Sequence, residues 1–409
     1  MKILNFGSCN IDYVYSLEHI VRAGETESTT KMEIFSGGKG LNQSIAIARA
    51  GSYVYHAGCI GEDGESLRTL LQESGVDVTF LQTKKGKNGH AIIQLDDAGQ
   101  NSIFLYPGTN EMIDKDFIDS VLENFEKGDI LLLQNEISNV KYVIERAHEK
   151  NMCIIFNPSP CNEKIKEIDF SKLNFILINE VEAKQISNCD TAEAALIFFK
   201  TYYAQLKVIL TLGEKGCVFI DGDKEIHQCA FKVNAVDTTG AGDTFTGYFV
   251  AGLSSGENTK EILQLSSAAS AIAVSRKGAA PSIPKKEEVL QALSVLKKNI
   301  TDNRSEFLLN KIESYLENNI ANANLKELSK ILGYTEVYTG SLVRKLTNKS
   351  FSKLIKEKRC SIAAKKLLNS DLSISAIINS VGYENEGFFR KIFKEYYKVN
   401  PLEYRKKKN

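Results

Sequence analysis

The sequence lacks the patterns that would place a protein in a membrane, outside the cell or around a zinc ion. No apolar run is long enough to span a bilayer, and no signal peptide is recognisable. None of the eight cysteines forms a C-x-x-C pair or a Cys/His ligand pattern. Most lie in apolar, strand-like runs, as Cys153 does. We therefore expect a cytoplasmic protein with reduced, buried thiols and no membrane partner.

Two common nucleotide-binding patterns are absent as well. The sequence contains neither a Walker A motif nor a GxGxxG motif, so neither a P-loop nor a Rossmann fold is supported. It also has no short-period repeat and no low-complexity tract. The remaining composition is ordinary, with 43% hydrophobic and 25% charged residues among 409. A chain of this length is expected to form two or more domains with an ample core.

Charge is balanced overall but unevenly distributed. Residues 301–409 hold 21 Lys and Arg against 12 Asp and Glu, a net of +9. Because the whole chain has 51 of each sign, the remainder carries a net of −9. An acidic body with a basic C-terminal part suggests that the latter meets a polyanion, although a solvated basic surface would look the same.

The most informative stretch is 236–245, Val-Asp-Thr-Thr-Gly-Ala-Gly-Asp-Thr-Phe. An extended run at 231–236 precedes it and an apolar helical pattern follows it, so a Gly-Ala-Gly turn opens a helix. Backbone N–H groups at such a turn carry the positive end of the helix dipole and can hold an anion. Asp243 falls in the first turn, where a carboxylate can accept a proton from an alcohol that attacks a phosphoryl group. The alternative is a tight turn in which Asp243 merely favours the helix start.

A second glycine-rich stretch, 36–43, reads Ser-Gly-Gly-Lys-Gly-Leu-Asn-Gln and opens a predicted helix at 45–50. Its three glycines, beside Lys39 and Asn42, exceed what a turn requires. Asn10 and Asp12 follow a predicted strand at 2–6, and ligands bind at strand ends of α/β sheets. An amide and a carboxylate suit sugar hydroxyls, but an Asx turn explains the local sequence equally well.

From residue 129 the pattern alternates between strands and helices. The predicted strands are 129–134, 152–156, 174–178 and 207–211, and the predicted helices are 138–149 and 191–204. This alternation predicts a parallel sheet with helices on both faces. Glu136, Asn179 and Glu182 follow strand ends on one edge of that sheet. Each could simply cap a helix, but their convergence favours a binding site.

Together these motifs resemble the signatures of the ribokinase-like (PfkB) carbohydrate kinases, and the resemblance runs from Asn5 to about Pro284. It implies a three-layer α/β fold, ATP as phosphoryl donor with Mg²⁺, and Asp243 as catalytic base. The anion hole would be formed by the N–H groups of Gly240, Ala241 and Gly242. The implied sugar-binding residues are Asn10, Asp12, Gly38, Lys39, Gly40, Asn42, Glu136 and Asp243. The implied nucleotide-binding residues are Asn179, Glu182, Thr211, Gly213, Gly216 and Gly242.

The resemblance also implies a small lid sheet and a K⁺ site. The lid would contain strands near 12–16, 30–35, 78–82, 90–95 and 102–106, and in the family it often joins two subunits, which implies a homodimer. The loop after a predicted helix at 262–275 matches the family's monovalent-cation loop. The implied ligands are the Asp237 carboxylate, the main-chain carbonyls of Thr239, Ala273, Arg276 and Gly278, and Ser282.

The C-terminal hundred residues predict helices throughout, with one proline, Pro401. Two stretches, 325–346 and 374–397, have the length and central glycine of a helix-turn-helix, and an amphipathic helix connects them. The second stretch and its Asn-Pro-Leu-Glu-Tyr-Arg end resemble the AraC/XylS DNA-binding domain, whereas the first matches more loosely. The recognition helices would be 337–346 and 386–396, lying in successive major grooves of double-stranded DNA. The implied DNA contacts are Ser341, Arg344, Lys345, Glu386, Arg390, Lys391 and Lys394.

The sequence thus predicts a kinase domain at 1–297, a linker at 298–305 and an all-α tandem helix-turn-helix domain at 306–409. The expected function is an ATP-dependent sugar kinase that regulates transcription in response to its sugar. Ribose is the favoured substrate, and fructose, a nucleoside or another pentose remain open. Two alternatives are a metabolic kinase with a tethering DNA-binding domain and a catalytically silent sugar sensor.

Overall fold

A computed structural model describes residues 1–370 and 372–406, including their side chains except those of 295–307 and 310. The chain forms two compact units, Met1–Val295 and Leu296–Asn409. Residues 407–409, the end of the predicted DNA-binding domain, lie outside the described residues.

The first unit is built of strands and helices in alternation. Its strands are β1 (Ile3–Phe6), β2 (Asn10–Leu17), β3 (Lys31–Gly37), β4 (Tyr55–Ile60), β5 (Asp77–Thr83), β6 (Gly89–Asp96), β7 (Asn101–Tyr106), β8 (Ile130–Gln134), β9 (Cys153–Asn157), β10 (Phe175–Asn179), β11 (Lys207–Thr211), β12 (Cys217–Asp221) and β13 (Lys224–Gln228). Its helices are α1 (Lys39–Arg49), α2 (Glu65–Glu73), α3 (Lys115–Leu122), α4 (Val140–Glu149), α5 (Glu180–Ser187), α6 (Ala192–Tyr202), α7 (Ala241–Ser254) and α8 (Thr259–Val274). Short 3₁₀ helices lie at Gly108–Met112, Glu163–Glu167, Phe170–Lys172, Gly213–Lys215 and Ala280–Ser282.

Nine strands form a large sheet in the order β13-β12-β11-β10-β9-β8-β1-β4-β5. Pairing is parallel except at β11–β12 and β12–β13. Strands such as β8, which is buried along its whole length, suit a parallel sheet covered on both faces. Strand β1 lies between β4 and β8. The chain first adds β4 to one side of β1 and later adds β8 to its other side. Such a reversal opens a crevice at the carboxyl ends of β1 and β8.

The two faces of this sheet differ in polarity. Leu4, Phe6 and Leu131 point to one face and join an apolar core with α3, α4 and α6. Side chains of opposite parity, such as Asn5 and Gln134, point to the face where α1 packs against α7. The second face therefore combines tight packing with buried polar groups at its carboxyl end.

Four strands form a small sheet in the order β3-β2-β6-β7. All six residues of β7 are exposed, including an apolar run of Ile103, Phe104 and Leu105, each about half exposed. The segment 78–82, expected in this sheet, lies instead in β5 and pairs with β4 at the edge of the large sheet. The alternation of apolar and polar residues in a short strand does not indicate which sheet the strand will join, because strands of both sheets have the same period of two.

Two other expectations about the first unit need correction, and one hairpin was missed. The run 231–236 belongs to no strand, and its last residue donates a backbone hydrogen bond to Val274 O. The hairpin of β12 and β13 was not predicted. Helix α1 begins at Lys39 rather than near 45, so most of the glycine-rich motif is helical.

The second unit is helical in all of its described residues that have regular structure. Its elements are α9 (Lys286–Asn319), which begins in the first unit, α10 (Leu325–Leu332), α11 (Glu336–Thr347), α12 (Phe351–Asn369), α13 (Ile374–Ser380), α14 (Glu386–Tyr397) and α15 (Pro401–Arg405). Residues 298–305, predicted as a linker, lie within α9. Two apolar cores are present. Phe351 and Leu354 of α12 belong to the first core, whereas Cys360 and Leu367 belong to the second.

Arg359, in the middle of α12, connects these two cores. Its guanidinium donates hydrogen bonds to the carbonyl oxygens of Ile320 (3.1 Å), Ala321 (2.8 Å) and Gly382 (3.0 Å). It also lies 5.1 Å from the ring centroid of Tyr383. Gly382 has φ +82°, and a Cβ there would approach Ala321 O to 2.2 Å. The turn of the second helix-turn-helix is therefore packed directly against the chain that enters the first.

Of the helices in the described parts of the chain, none has the length and apolarity needed to cross a membrane.

Candidate active site and candidate DNA interface

The N-terminus of α7 faces a cleft in the first unit. Gly240 is its N-cap in the left-handed region, with φ +73°, and a Cβ there would come within 2.9 Å of Ala279. Glycine is thus required at this position both by conformation and by close packing. Ala241 N–H, one of the three predicted anion-hole donors, makes a long 3.3 Å hydrogen bond to Thr238 O. A Cβ on Gly242 would meet no atom within 4 Å, so this side of the turn is open to the cleft.

Asp243 is buried in the first turn of α7, with 7% of its surface exposed. Two amides of α1 hold its carboxylate. Asn42 Nδ2 donates to Oδ2 at 3.0 Å, and Gln43 Nε2 donates to Oδ1 at 2.9 Å. Each carboxylate oxygen accepts one of these bonds and can accept a further one. The carboxylate is therefore fixed in orientation and retains acceptor capacity towards the cleft.

Glu136 lies at the N-terminus of α1, just beyond β8. Its Oε2 accepts hydrogen bonds from the Lys39 backbone N–H (2.9 Å) and from the Ser8 hydroxyl. A Cβ on Gly40 would approach Ser8 N to 2.4 Å, so glycine permits the close contact between α1 and the end of β1. Gly38 caps α1 with φ +93°. The structure thus brings Glu136 together with the start of α1 in the glycine-rich motif.

Asn10 and Asp12 enter the same region from β2. Asn10 Oδ1 accepts a hydrogen bond from Asn110 Nδ2 at 2.7 Å. The Asp12 side chain lies over Gly37, where a Cβ would clash with its carboxylate at 2.0 Å. The first contact ties the start of β2 to the 3₁₀ helix at Gly108–Met112, and the second packs β2 against the end of β3.

The acidic groups of the site influence one another. Burial, followed by the charges of Glu136 and Asp243, raises the pKa of Asp12 from 3.8 to about 7. Burial also raises the pKa of Glu136, although Lys39 opposes it. Burial would lower the pKa of Lys39, but Asp243, Glu136 and Glu182 outweigh it and raise the pKa. Lys39 is thus a stable cation among carboxylates, which suits a site that receives a highly charged anion.

The residues predicted to bind the nucleotide, except Gly216, line a cleft of about 420 Å³. The lining residues are Lys39, Asn157, Ser159, Leu177, Ile178, Asn179, Glu180, Val181, Glu182, Thr211, Gly213, Thr238, Gly240, Gly242, Asp243 and Thr246. Asn179 and Glu182 form a capping box at the start of α5, each side chain accepting from the other's backbone N–H at 2.9 and 3.0 Å. Gly216, predicted beside them, instead packs against strand β13, where a Cβ would meet Gln228 O at 2.0 Å.

The predicted cation loop borders α7. The Asp237 carboxylate accepts from the backbone N–H groups of Thr239 and Gly278, both at 2.9 Å. Burial opposes its ionisation, but these hydrogen bonds prevail and lower the pKa of Asp237. Ser282 Oγ donates to Ala279 O (2.7 Å). The guanidinium of Arg276 pairs with Glu288 (2.8 Å), and its backbone N–H donates to Ala273 O (3.0 Å). The loop thus combines a carboxylate, a hydroxyl and main-chain carbonyls, a donor set that suits a hard cation.

Several residues of this site were not predicted. Gln43 contacts Asp243 directly, Ser8 holds Glu136 and Asn110 holds Asn10. Gln43 could have been noticed, because it follows Asn42 within the glycine-rich motif. Asn110 follows β7 in a 3₁₀ helix and carries no comparable signal.

In the second unit, the two predicted recognition helices are α11 and α14. Thr335 and Asn385 cap them, each side chain accepting a backbone N–H in the first turn. The predicted DNA contacts Ser341, Arg344, Lys345, Arg390, Lys391 and Lys394 are all exposed. Glu386 is half-buried and forms an ion pair with Arg390 at 3.2 Å.

The N-terminal turns of these helices also expose apolar residues that were not predicted. Val337 is 83% exposed, and Tyr338 and Phe388 are about half exposed. Residues at the N-terminal end of a recognition helix are the ones that approach base edges, and apolar side chains there can contact thymine methyl groups.

Comparison with known proteins finds a family match in each of the two parts of the chain. Residues 1–286 match the family described as pfkB family carbohydrate kinase, and residues 328–407 match a helix-turn-helix domain. Ribokinase of Haemophilus influenzae is 34% identical over 300 residues, covering 70% of this chain and 96% of that protein.

Two solved structures have the same fold as the first unit. Ribokinase from Cryptococcus neoformans, in complex with ADP, has a TM-score of 0.65 at 33% identity, covering 71% of this chain and 99% of that one. Arabidopsis thaliana ribokinase complexed with ribose and ATP has a TM-score of 0.64 at 28% identity, covering 71% and 98%.

The sheet, the glycine-opened helix and its buried aspartate define a ribokinase-like kinase. The chain belongs to the pfkB family of carbohydrate kinases, and its C-terminal part is a helix-turn-helix domain of the AraC type. These findings confirm the predicted fold class, the predicted fusion and the assignment as a carbohydrate kinase.

Proposed function

We propose that this protein phosphorylates ribose with ATP and adjusts transcription to the availability of that sugar. The observation that carries the kinase assignment is the Asp243 carboxylate, fixed by two amides at a helix N-terminus that opens into the cleft. The choice of ribose is supported by the similar proteins, which are ribokinases, one of them complexed with ribose and ATP.

The sugar would lie between the two sheets. Its pocket would be formed by Asn10, Asp12, Gly38, Lys39, Gly40, Asn42 and Glu136. Carboxylate and amide oxygens there accept hydrogen bonds from sugar hydroxyls, and Asn42 would contact both the sugar and Asp243. One hydroxyl would face Asp243.

In the reaction, the sugar hydroxyl oxygen attacks the γ-phosphorus of ATP and its proton passes to the Asp243 carboxylate. The new O–P bond forms as the bond from the γ-phosphorus to the bridging oxygen of ADP breaks, and ADP leaves with that electron pair. The backbone N–H groups of Gly240, Ala241 and Gly242, with the dipole of α7, would stabilise the charge on the transferring group. Lys39 adds a fixed positive charge beside them.

The nucleotide would occupy the cleft along Asn179, Glu182, Thr211 and Gly213, with Gly216 supporting its wall through β13. Asn179 and Glu182 present oxygens that fit a hydrated Mg²⁺, which neutralises phosphate charge when bound. The donor set of Asp237, Thr239, Ala273, Arg276, Gly278 and Ser282 fits K⁺. Coordination by these oxygens would order the loop that packs against the N-terminus of α7.

The decisive kinetic test is Asp243→Asn. This variant should bind ATP and ribose nearly normally but transfer phosphate roughly 10²–10⁴-fold more slowly, the usual contribution of positioned proton transfer. Initial rates would be measured with ribose, 2-deoxyribose, fructose and adenosine as acceptors. A variant that keeps near-normal kcat would remove Asp243 from the role of base, and a wild-type protein that phosphorylates none of these acceptors would favour the silent-sensor alternative.

The regulatory role is inferred from the fused domain and its charge. The net charge of +9 in residues 301–409 and the exposed Arg344, Lys345, Arg390, Lys391 and Lys394 suit a DNA backbone. The exposed apolar strand β7 suits pairing with a second copy of the chain. A protein that binds promoter DNA with the same affinity in every ligand state would favour the tethered-enzyme alternative.

A further inference from the structure

A chain of buried side-chain amides leads to the back of Asp243. Gln43 Nε2, the donor to Asp243 Oδ1, also donates to Asn157 Oδ1 at 3.0 Å. Gln43 Oε1 accepts from Gln134 Nε2 at 2.7 Å, and Gln134 Nε2 also donates to Asn5 Oδ1 at 2.9 Å. Gln43 and Asn5 are fully buried, and Gln134 is 1% exposed. Neither Gln43 nor Gln134 was anticipated as functional.

The direction of these hydrogen bonds follows from two backbone carbonyls, which can only accept. Gly40 O accepts from Asn5 Nδ2 (2.7 Å), so Asn5 turns its oxygen to Gln134, which must donate. The Gln134 amide nitrogen then faces Gln43 Oε1, which leaves Gln43 Nε2 for Asp243. If the Gln43 amide were flipped, its nitrogen would face the Gln134 nitrogen, so that two donors would meet. Its oxygen would then face the oxygens of Asn157 and Asp243, so that acceptors would meet.

A second route gives the same orientation independently. Leu177 O accepts from Asn157 Nδ2 at 3.0 Å, so Asn157 turns its oxygen to Gln43. Both hydrogens on Gln43 Nε2 therefore have an assigned acceptor, Asn157 Oδ1 and Asp243 Oδ1. The Gln43 amide is fixed from two sides by main-chain atoms of α1 and β10 before any substrate arrives.

We propose that Gln43 is a positioning residue that holds the Asp243 carboxylate in the orientation that faces the cleft. This inference rests on the proposed kinase function and goes beyond it, because it assigns the orientation of the base to a residue that touches no substrate. A hydrogen bond donated to the charged form of a carboxylate favours that form. The donor also restricts rotation of the carboxylate, so that its oxygen is held in the orientation that the reaction requires.

Other charged groups near Asp243 must be unchanged for a test to be clear. They are Lys39 on α1, Asp12 on β2 and Glu136 beyond β8, and Glu182 on α5 acts on Lys39. None of these side chains hydrogen-bonds to Gln43 in the described residues. Gln43→Leu therefore changes the hydrogen bonding of Asp243 while keeping the surrounding charges.

The experiment compares Gln43→Leu and Gln43→Glu with the wild-type full-length protein. Gln43→Leu removes the donor and should reduce kcat roughly 10- to 100-fold, the range expected when a hydrogen bond to a charged group is lost. The acidic limb of its kcat/KM profile should move to higher pH. Gln43→Glu keeps the shape of the side chain but places a second carboxyl against Asp243, so its limb should move further. KM for ATP should change little in either variant.

Ser44→Ala is the matched control. Ser44 is the next residue of α1, is equally buried, and contacts Asn5 and His56 but not Asp243. It should lower the unfolding temperature as a buried substitution does, while the pH profile keeps its wild-type limb. A Gln43→Leu profile that coincides with that of Ser44→Ala would overturn the proposal and leave Gln43 a structural residue.

A second readout separates this inference from the proposed reaction. Carboxyl ¹³C signals of labelled aspartates can be recorded by NMR at one fixed pH, with the Asp243 signal identified by its loss in Asp243→Asn. Because Gln43 donates directly to Asp243 Oδ1, the chemical shift of this signal should change in Gln43→Leu and not in Ser44→Ala, even if the wild-type protein phosphorylates no sugar tested. An unchanged Asp243 signal in a folded Gln43→Leu protein would refute the role of Gln43, whatever the reaction is.

Discussion

Asp12 shows at the residue scale how burial adjusts the charge of the sugar pocket. Its pKa of about 7 lies well above the 3.8 of an ordinary aspartate, first because it is buried and then because Glu136 and Asp243 are near. Between about pH 4 and pH 7, the folded protein holds a proton on Asp12 that the unfolded chain has lost. The contribution of Asp12 to the free energy of unfolding is therefore full below pH 4 and is lost as pH rises through 7.

Asp12→Asn should consequently gain stability relative to the wild type as pH rises from 4 to 8. The gain at pH 8 is at most about 4 kcal/mol, since each pKa unit corresponds to about 1.4 kcal/mol. Thermal unfolding across this pH range measures it. Asp97→Asn, at an exposed carboxylate in the turn between β6 and β7, is the control and should show a constant difference. A stability difference for Asp12→Asn that does not vary with pH would contradict the raised pKa.

At this scale the sequence predicted residues that the structure brings close together. Asp243, Lys39 and Glu136 were singled out because glycine-rich motifs and strand ends mark the places where backbone and ligand approach each other. Gln43 was missed for a physical reason. Gly38, Gly40 and Asn42 have low helix propensity, so the predicted helix began too late, and tertiary packing against β1 and α7 overrode that propensity. Only once α1 starts at Lys39 do Asn42 and Gln43 both face Asp243.

At the scale of elements, direct contacts join the proposed cation loop to the start of α7. Asp237 holds both Thr239 and Gly278, and Gly240 packs directly on Ala279. Anything that orders this loop also orders the N–H groups proposed to bind the transferring phosphoryl group.

Turnover should accordingly increase when K⁺ replaces a large organic cation at equal ionic strength, because a cation at Asp237 would hold the loop that supports Gly240. Steady-state rates in potassium and in tetramethylammonium chloride measure the effect. Asp237→Asn should weaken the response, whereas Asp223→Asn, in the exposed turn after β12, should retain it. Equal rates in both salts would make the loop purely structural.

Elements differed in how well the sequence predicted them. The predicted bounds of buried strands such as β8 agree with the structure to within one residue, because a short continuous apolar run in an α/β protein usually forms a buried strand. The β12–β13 hairpin was missed although its Asp-Gly pair at 221–222 is a known turn signal. The placement of β5 in the large sheet depends on long-range packing that local sequence does not contain.

At the scale of the whole molecule, the question is whether an acidic kinase and a basic DNA-binding domain influence each other. If sugar and nucleotide change DNA affinity, DNA must change their affinity by the same factor, because binding free energies are reciprocal. Typical couplings are about 1–3 kcal/mol, or roughly 5- to 150-fold. Closure of the small sheet over a sugar would act through the proposed dimer contact at β7.

The full-length protein should therefore bind an operator, identified by selection from random DNA, with different affinity when ribose and a non-hydrolysable ATP analogue are present. Fluorescence anisotropy at fixed salt measures this. Asp243→Asn should keep the effect, because ligand binding rather than turnover is the signal, and Lys391→Ala should weaken DNA binding while leaving kinase activity intact. Identical affinities and stoichiometries with and without ligands would leave the tethered enzyme as the better description.

The Arg359 contact has a consequence for the operator itself. Arg359 donates hydrogen bonds to three carbonyl oxygens that come from both halves of the domain. The two recognition helices therefore cannot move apart to fit two DNA segments whose separation varies. Each base pair added between the two contacted segments would rotate the second by about 35° around the duplex, since B-DNA completes a turn in about 10 base pairs. The DNA contacted by one copy of the chain should then have a fixed length and a fixed helical phase. Where two copies bind as the proposed dimer, variation in spacing among natural operators would be confined to the DNA between them.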